Sequence, residues 1–136
     1  MRQIDEQYIQ TGLVRFGYRH FVVLGPQSQQ AAEASECAGE QGAFWAYHDL
    51  LFAGRTRGAD NLKQLAADLG LDTTGFNACL DSGTYASVVR AESELIASLG
   101  VRGTPAFLVN GQPLAGAQPF EVFEQIIEAE LGGTSR

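Results

Sequence analysis

Cysteine is nearly absent: Cys37 and Cys79 are the only two in 136 residues. They lie far apart, no C-x-x-C occurs, and two histidines add no zinc-ligand spacing. No G-x-G-x-x-G and no phosphate loop is present, so the sequence calls for neither a metal nor a cofactor. Basic residues are also scarce. Nine Lys and Arg stand against sixteen Asp and Glu, for a net charge of −7. That balance excludes non-specific binding to nucleic acid or to an anionic membrane, and Arg15, Arg19, Arg55 and Arg57 form no dense basic run. No apolar stretch approaches the roughly 20 residues of a membrane span. The opening M-R-Q-I-D-E-Q-Y-I-Q has no apolar core of a signal peptide. The chain as written is expected to stay where it is made.

What is present reads as one globular domain. Hydrophobic residues make up 45% and charged residues 18%, a composition that can bury a core at this length. Ile4, Tyr8 and Ile9 share one face of a short opening helix, with Thr11-Gly12 as its stop. L-V-R-F-G-Y-R-H-F then alternates, predicting a strand over Leu13–Phe21. A helix follows from Pro26 to Gln41, with Ala31, Ala34 and Ala38 spaced for close packing. A-F-W-A-Y-H-D-L-L-F reads as a second helix burying Phe44, Trp45, Leu51 and Phe52. R-T-R-G is a loop. A-D-N-L-K-Q-L-A-A-D-L-G is a third helix, with Asp60 as its cap and Leu62, Leu65, Ala66 and Leu69 on one face. T-T-G-F-N-A-C-L-D-S-G and T-Y-A-S-V-V-R-A-E-S-E-L-I-A-S-L-G complete the helical run. A-F-L-V is a strand, Asn110-Gly111 a two-residue hairpin turn, and Q-P-L-A-G-A the return strand, with Pro113 marking an edge. The last helix carries Phe120, Val122, Phe123, Ile126, Ile127 and Leu131, and G-G-T-S-R is a frayed tail. The expected architecture is an α/β sandwich of few strands with helices over both faces.

Few polar groups stand out as chemistry. His48-Asp49, with Ser28 or Cys37 as nucleophile, suggests a catalytic set. Adjacent helical residues point about 100° apart, however, so a packing role is expected. His20 ends the predicted strand. Glu92-Glu94 and Glu121-Glu124-Glu128 read as solvated helix faces.

Several stretches, in this order, carry a resemblance: T-G-L-V-R-F-G-Y-R-H-F, G-P-Q-S-Q-Q-A-A-E-A-S-E-C-A, Q-G-A-F-W-A-Y-H-D-L-L-F, F-N-A-C-L-D-S-G and L-G-V-R-G-T-P-A-F-L-V-N-G. Over about residues 3 to 131 the chain resembles the DsbA-like thiol–disulfide oxidoreductases. The resemblance implies an α/β thioredoxin-like fold filling residues 1–136 as a single domain, with a helical insertion over 26–99. It also implies that the first strand and the start of the first helix are missing. The family's C-x-x-C opens that helix, and neither cysteine of the motif maps onto this chain, so no catalytic residue is assigned. Gly103, Thr104 and Pro105 correspond to the family's cis-proline loop, whose backbone pairs with an extended peptide or protein thiol substrate; the bland alternative is a trans-proline opening a strand. Cys37 and Cys79 are two inert buried thiols, a structural disulfide, or a reactive pair. Without its first strand the sheet has unpaired edges. The flanking strands are expected to pair directly, or the chain to form a homodimer or exchange a segment. Dithiol turnover is not expected. The alternatives are a non-catalytic peptide-binding or self-associating module, and a non-redox enzyme similar to kappa-type glutathione transferases or 2-hydroxychromene isomerases.

Overall fold

A computed structural model of the chain describes residues 1–54 and 58–133. The loop expected at R-T-R-G, with Arg55 and Arg57, falls largely outside the described residues, as does most of the tail. The chain forms two compact units, one of Met1–Arg19 with Val101–Arg136 and the other of His20–Gly100.

The His20–Gly100 unit is a bundle of α2 (Pro26–Gly39), α3 (Phe44–Ala53), α4 (Ala59–Asp68), α5 (Thr73–Asp81) and α6 (Ala86–Ser98). Its centre is the small-residue face of α2. Ala31, Ala34, Cys37 and Ala38 are buried there against Tyr47, Leu62, Ala66, Phe76, Cys79 and Leu80. Side chains this short let neighbouring helices approach closely, and interior packing leaves no room for longer ones. Cys37 and Cys79 are joined in a disulfide that ties α2 to α5, with their Cα atoms 5.9 Å apart.

Helix α3 departs from expectation. Tyr47 is its fully buried residue, donating its hydroxyl to the Leu62 carbonyl at 2.8 Å. Trp45 is 47% exposed and Phe52 72%, while Phe44 and Leu51 are half-buried. The sequence F-W-A-Y-H-D-L-L-F-A is apolar on nearly every side, so its periodicity does not select the inner face. Asp60 is likewise not the cap of α4. Gly58, at φ 109°, holds that position, a left-handed backbone that glycine adopts without a Cβ clash. Asp60 sits in the first turn, where its charge favours the positive end of the helix.

In the other unit, α1 (Arg2–Ile4) runs into a π-helical turn over Asp5–Ile9. Ile4 and Tyr8 are buried against Phe123 and Ile127 of α7 (Phe120–Gly133). The Tyr8 hydroxyl donates to Glu128 at 2.7 Å. That hydrogen bond, then burial, then the charges of Glu128 and Glu124 push the Tyr8 pKa up to about 12. Strands β1 (Ala106–Val109) and β2 (Gln112–Ala115) pair antiparallel through Asn110-Gly111. Both turn residues have positive φ, 48° and 86°, as a type I′ turn requires. The Asn110 and Gln112 amides both donate to Glu130 of α7. Glu128 and Glu130 are therefore partnered, and the acidic face of this helix is not simply solvated.

Phe107, Val109, Leu114 and Val14 pack on the α1–α7 core, and the Phe107 ring meets Phe123 edge to face at 4.8 Å. The opposite hairpin face, Ala106, Leu108, Pro113 and Ala115, is exposed. The strand predicted over Leu13–Phe21 does not form. Among the described residues the sheet has two strands, β1 and β2, so direct pairing of that segment with Ala106–Val109 is not seen. Its alternation is nevertheless visible: Val14 and Phe16 are half-buried, Leu13, Arg15 and Gly17 exposed. Alternation records which way side chains face; a strand also needs a neighbouring backbone.

Two outcomes follow for stability. The disulfide closes a loop across 42 residues of sequence, so replacing both cysteines with alanine is expected to lower unfolding free energy by about 4 kcal/mol in the chain-entropy account, read from urea denaturation. For Tyr8, the folded state holds the phenolic proton more tightly than the unfolded chain, whose tyrosine titrates near 10. This contribution is complete below about pH 10 and is lost as pH climbs through about 12. Thermal unfolding scans across that window should show a falling midpoint, and Tyr8→Phe should shallow the fall.

Candidate functional site

The segment entering β1 is Val101–Pro105. Gly103, Thr104 and Pro105 are exposed, and the Thr104–Pro105 peptide bond is cis. The Pro105 carbonyl accepts the Gly116 N–H at 2.8 Å, which anchors the loop to the far end of the hairpin. Gly103 has no left-handed backbone, and a Cβ there would meet nothing within 4 Å. The fold itself therefore does not demand glycine at this place, and the loop's backbone is open to approach.

Cys37 and Cys79 do not lie on an exposed surface. They are 1% and 8% exposed and bonded to each other, leaving no free cysteine. A nucleophilic thiol must be a thiolate with access to its target, and neither sulfur qualifies in this state. This also removes Cys37 as a nucleophile for His48-Asp49.

The two residues of that pair do meet, contrary to the argument from helical spacing. His48 Nδ1 lies 3.2 Å from Asp49 Oδ1. Spacing fixes the directions of Cα–Cβ bonds, and rotation about χ1 and χ2 brings adjacent side-chain tips together at a surface. The His48 ring also lies against Phe52 and Trp45, with centroids 4.6 and 5.3 Å away, which is a packing environment.

The polar feature least visible in the sequence is at His20. It is 5% exposed, with Nε2 2.7 Å from Glu36 Oε1 of α2. Its backbone N–H donates to Glu92 of α6 at 2.9 Å, and the Val22 N–H donates to Ser93 at 3.0 Å. Glu92 is thus a half-buried acceptor rather than part of a solvated face, while Glu94 is exposed. These side chains fasten the segment ahead of α2 to two helices. The only sequence signal was a histidine ending an apolar alternation; nothing local placed Glu36 and Glu92 beside it. Among the described residues no group of three or more His, Cys, Asp or Glu could hold a metal ion, and no helix is long and apolar enough to cross a membrane.

Comparison with known proteins fits this geometry. Residues 1–129 match the family described as Thioredoxin. The chain is 37% identical over 125 residues to the Na(+)/H(+) antiporter NhaA 1 of Salinispora arenicola, covering 89% of this chain and 19% of the antiporter. It is 29% identical over 140 residues to Disulfide bond formation protein D of Bacillus subtilis, covering 96% of this chain and 63% of that protein. The chain therefore spans about a fifth of the antiporter's length and just under two thirds of the disulfide bond formation protein. Among solved structures, oxidised BdbD from Bacillus subtilis superposes with a TM-score of 0.87 at 26% identity, over 96% of this chain and 76% of that one. A thioredoxin-like oxidoreductase from Silicibacter pomeroyi shares the fold, with a TM-score of 0.73 at 24% identity, over 83% and 66% of the two chains. A helix-rich α/β fold and a match over residues 1–129 lead to one conclusion: this chain belongs to the thioredoxin family and is homologous to the disulfide bond formation proteins.

Proposed function

We propose that this polypeptide is a DsbA-like thioredoxin domain over 1–136, with 26–99 as its helical insertion, that carries out no dithiol turnover by itself. One observation carries the reading: both of its cysteines are spent on the buried Cys37–Cys79 bond. A thiol–disulfide exchange cycle needs a thiolate that attacks and a second sulfur that resolves the mixed disulfide. The core of a helical bundle supplies access to neither. The bond is structural in this reading.

What the family fold retains is the exposed loop at Gly103, Thr104 and Pro105. Its partner is an extended peptide or a protein thiol substrate, held by backbone contacts, with the redox chemistry supplied by residues other than these. The match to a fifth of an antiporter supports a domain that also works as part of a larger chain. Self-association into a homodimer is a second reading, favoured by the exposed apolar face of the hairpin.

Insulin reduction by dithiothreitol tests the first reading. Turbidity is expected to rise no faster with this protein than with dithiothreitol alone; acceleration that disappears in Cys37→Ala/Cys79→Ala would overturn it. Glutathione is expected to leave the thermal midpoint unmoved, and a concentration-dependent rise would point instead to a glutathione-binding enzyme on this scaffold.

A further inference from the structure

Asn110-Gly111 shapes the hairpin tip, and the same dipeptide carries a covalent chemistry that the turn does not use. A backbone nitrogen that reaches the side-chain carbon of the preceding asparagine closes an unstrained succinimide ring. A bulky side chain on the following residue, or a hydrogen bond from its N–H, opposes that attack. Asn61 and Asn77 lie inside α4 and α5, ahead of leucine and alanine, where helical bonding engages the next N–H. The Leu62 N–H, for one, donates to the Gly58 carbonyl at 3.1 Å. Asn110 instead precedes glycine. Among the described residues the Gly111 N–H donates to no backbone carbonyl, and a Cβ on Gly111 would meet nothing within 4 Å. Both residues are exposed, so water reaches the tip.

Two features of the folded chain oppose the ring. Closure requires the Asn110 Cβ and the Gly111 nitrogen to eclipse about the Cα–C bond between them. A type I′ turn does not contain that rotation, so the tip must open first. The Asn110 Nδ2 also donates to Glu130 Oε2 of α7 at 3.0 Å, which ties the carboxamide to the helix.

We propose that Asn110 is a deamidation site restrained by the folded hairpin, and that Glu130 governs both its rate and its effect on the fold. The Gly111 nitrogen bonds to the Asn110 side-chain carbon and gives up its proton, and the side-chain nitrogen leaves as ammonia. Water then opens the imide. Addition at the side-chain carbonyl leaves aspartate at position 110. Addition at the backbone carbonyl leaves isoaspartate, whose main chain runs through the side-chain carbons. Water enters, ammonia leaves, and nothing is oxidised or reduced. The aspartate product sets a carboxylate where the donor to Glu130 stood, so a hydrogen bond becomes a like-charge contact. The isoaspartate product lengthens the backbone and loses the two-residue turn. Either way the hairpin is held less firmly on α7, where Phe107 meets Phe123.

Peptide mapping by mass spectrometry tests this on the full chain, incubated at mildly alkaline pH with and without urea. Fragmentation that distinguishes aspartate from isoaspartate identifies both products. Conversion is expected at Asn110 and not at Asn61 or Asn77. It should run several-fold slower in the native chain than in urea, and several-fold faster in native Glu130→Ala than in wild type. Asn110→Asp should lower the thermal midpoint, and Glu130→Gln in the same chain should recover most of the loss. Asn110 still intact in the native chain after the urea-treated chain has converted overturns the site. Equal rates with and without urea overturn the restraint. Equal rates in wild type and Glu130→Ala, or an Asn110→Asp midpoint that Glu130→Gln does not raise, overturn the role of Glu130.

Discussion

Packing in the helical unit depends on how closely other helices approach α2. Ala31, Ala34, Cys37 and Ala38 keep its inner face almost flat, and Tyr47, Leu62 and Phe76 fill the space thereby left. A larger residue on that face would overpack the centre at a cost of about 1–3 kcal/mol. The disulfide occupies the same place. Cys37 is at once a small packing residue and the covalent tie to α5, so the alanine-like geometry of α2 and the cross-link are one solution. Other polar ties sit around the rim of this centre: Gln41 exchanges two hydrogen bonds with the Asp72 backbone, Lys63 pairs with Asp81, and Tyr85 donates to Glu40.

This arrangement gives cysteine a meaning opposite to the one it has at a redox centre. A reactive thiol needs exposure and a neighbourhood that stabilises the thiolate; a sulfur at the centre of a bundle has neither. Gly103, Thr104 and Pro105 before the hairpin are nonetheless exposed, while both sulfurs are buried in the bundle. His20 contributes to the same division of labour. Its bonds to Glu36 and Glu92 hold the connecting segment on the bundle, a structural task for three residues of a type often met in catalysis.

The legible parts of the sequence were those governed by local chemistry. Asn110-Gly111 fixed a turn because few residues accept two positive φ values, and the helix boundaries near Gly39, Asp68, Asp81 and Ser98 follow glycine and periodicity. The order of motifs identified the family. Illegible parts depended on partners distant in the chain. Leu13–Phe21 has the side-chain rhythm of a strand, but rhythm says nothing about whether a second backbone lies alongside. Tyr47 is hidden in a helix apolar on all sides, and its decisive contact is the Leu62 carbonyl. For the site, Gly103, Thr104 and Pro105 were read from the motif, whereas the convergence of His20, Glu36 and Glu92, 16 and 72 residues apart, has no local trace.

The bond from Tyr8 to Glu128 spans 120 residues, and this separation bears on synthesis. The bundle is one uninterrupted stretch, His20–Gly100, whereas the other unit joins the first nineteen residues to the last thirty-six. The whole of the bundle is synthesised before α7 is. Ile4 and Tyr8 must then wait, solvated or transiently shielded, until Phe123 and Ile127 emerge. Local contacts form early and remote ones late, so the bundle is complete first and the N-terminal helix docks last.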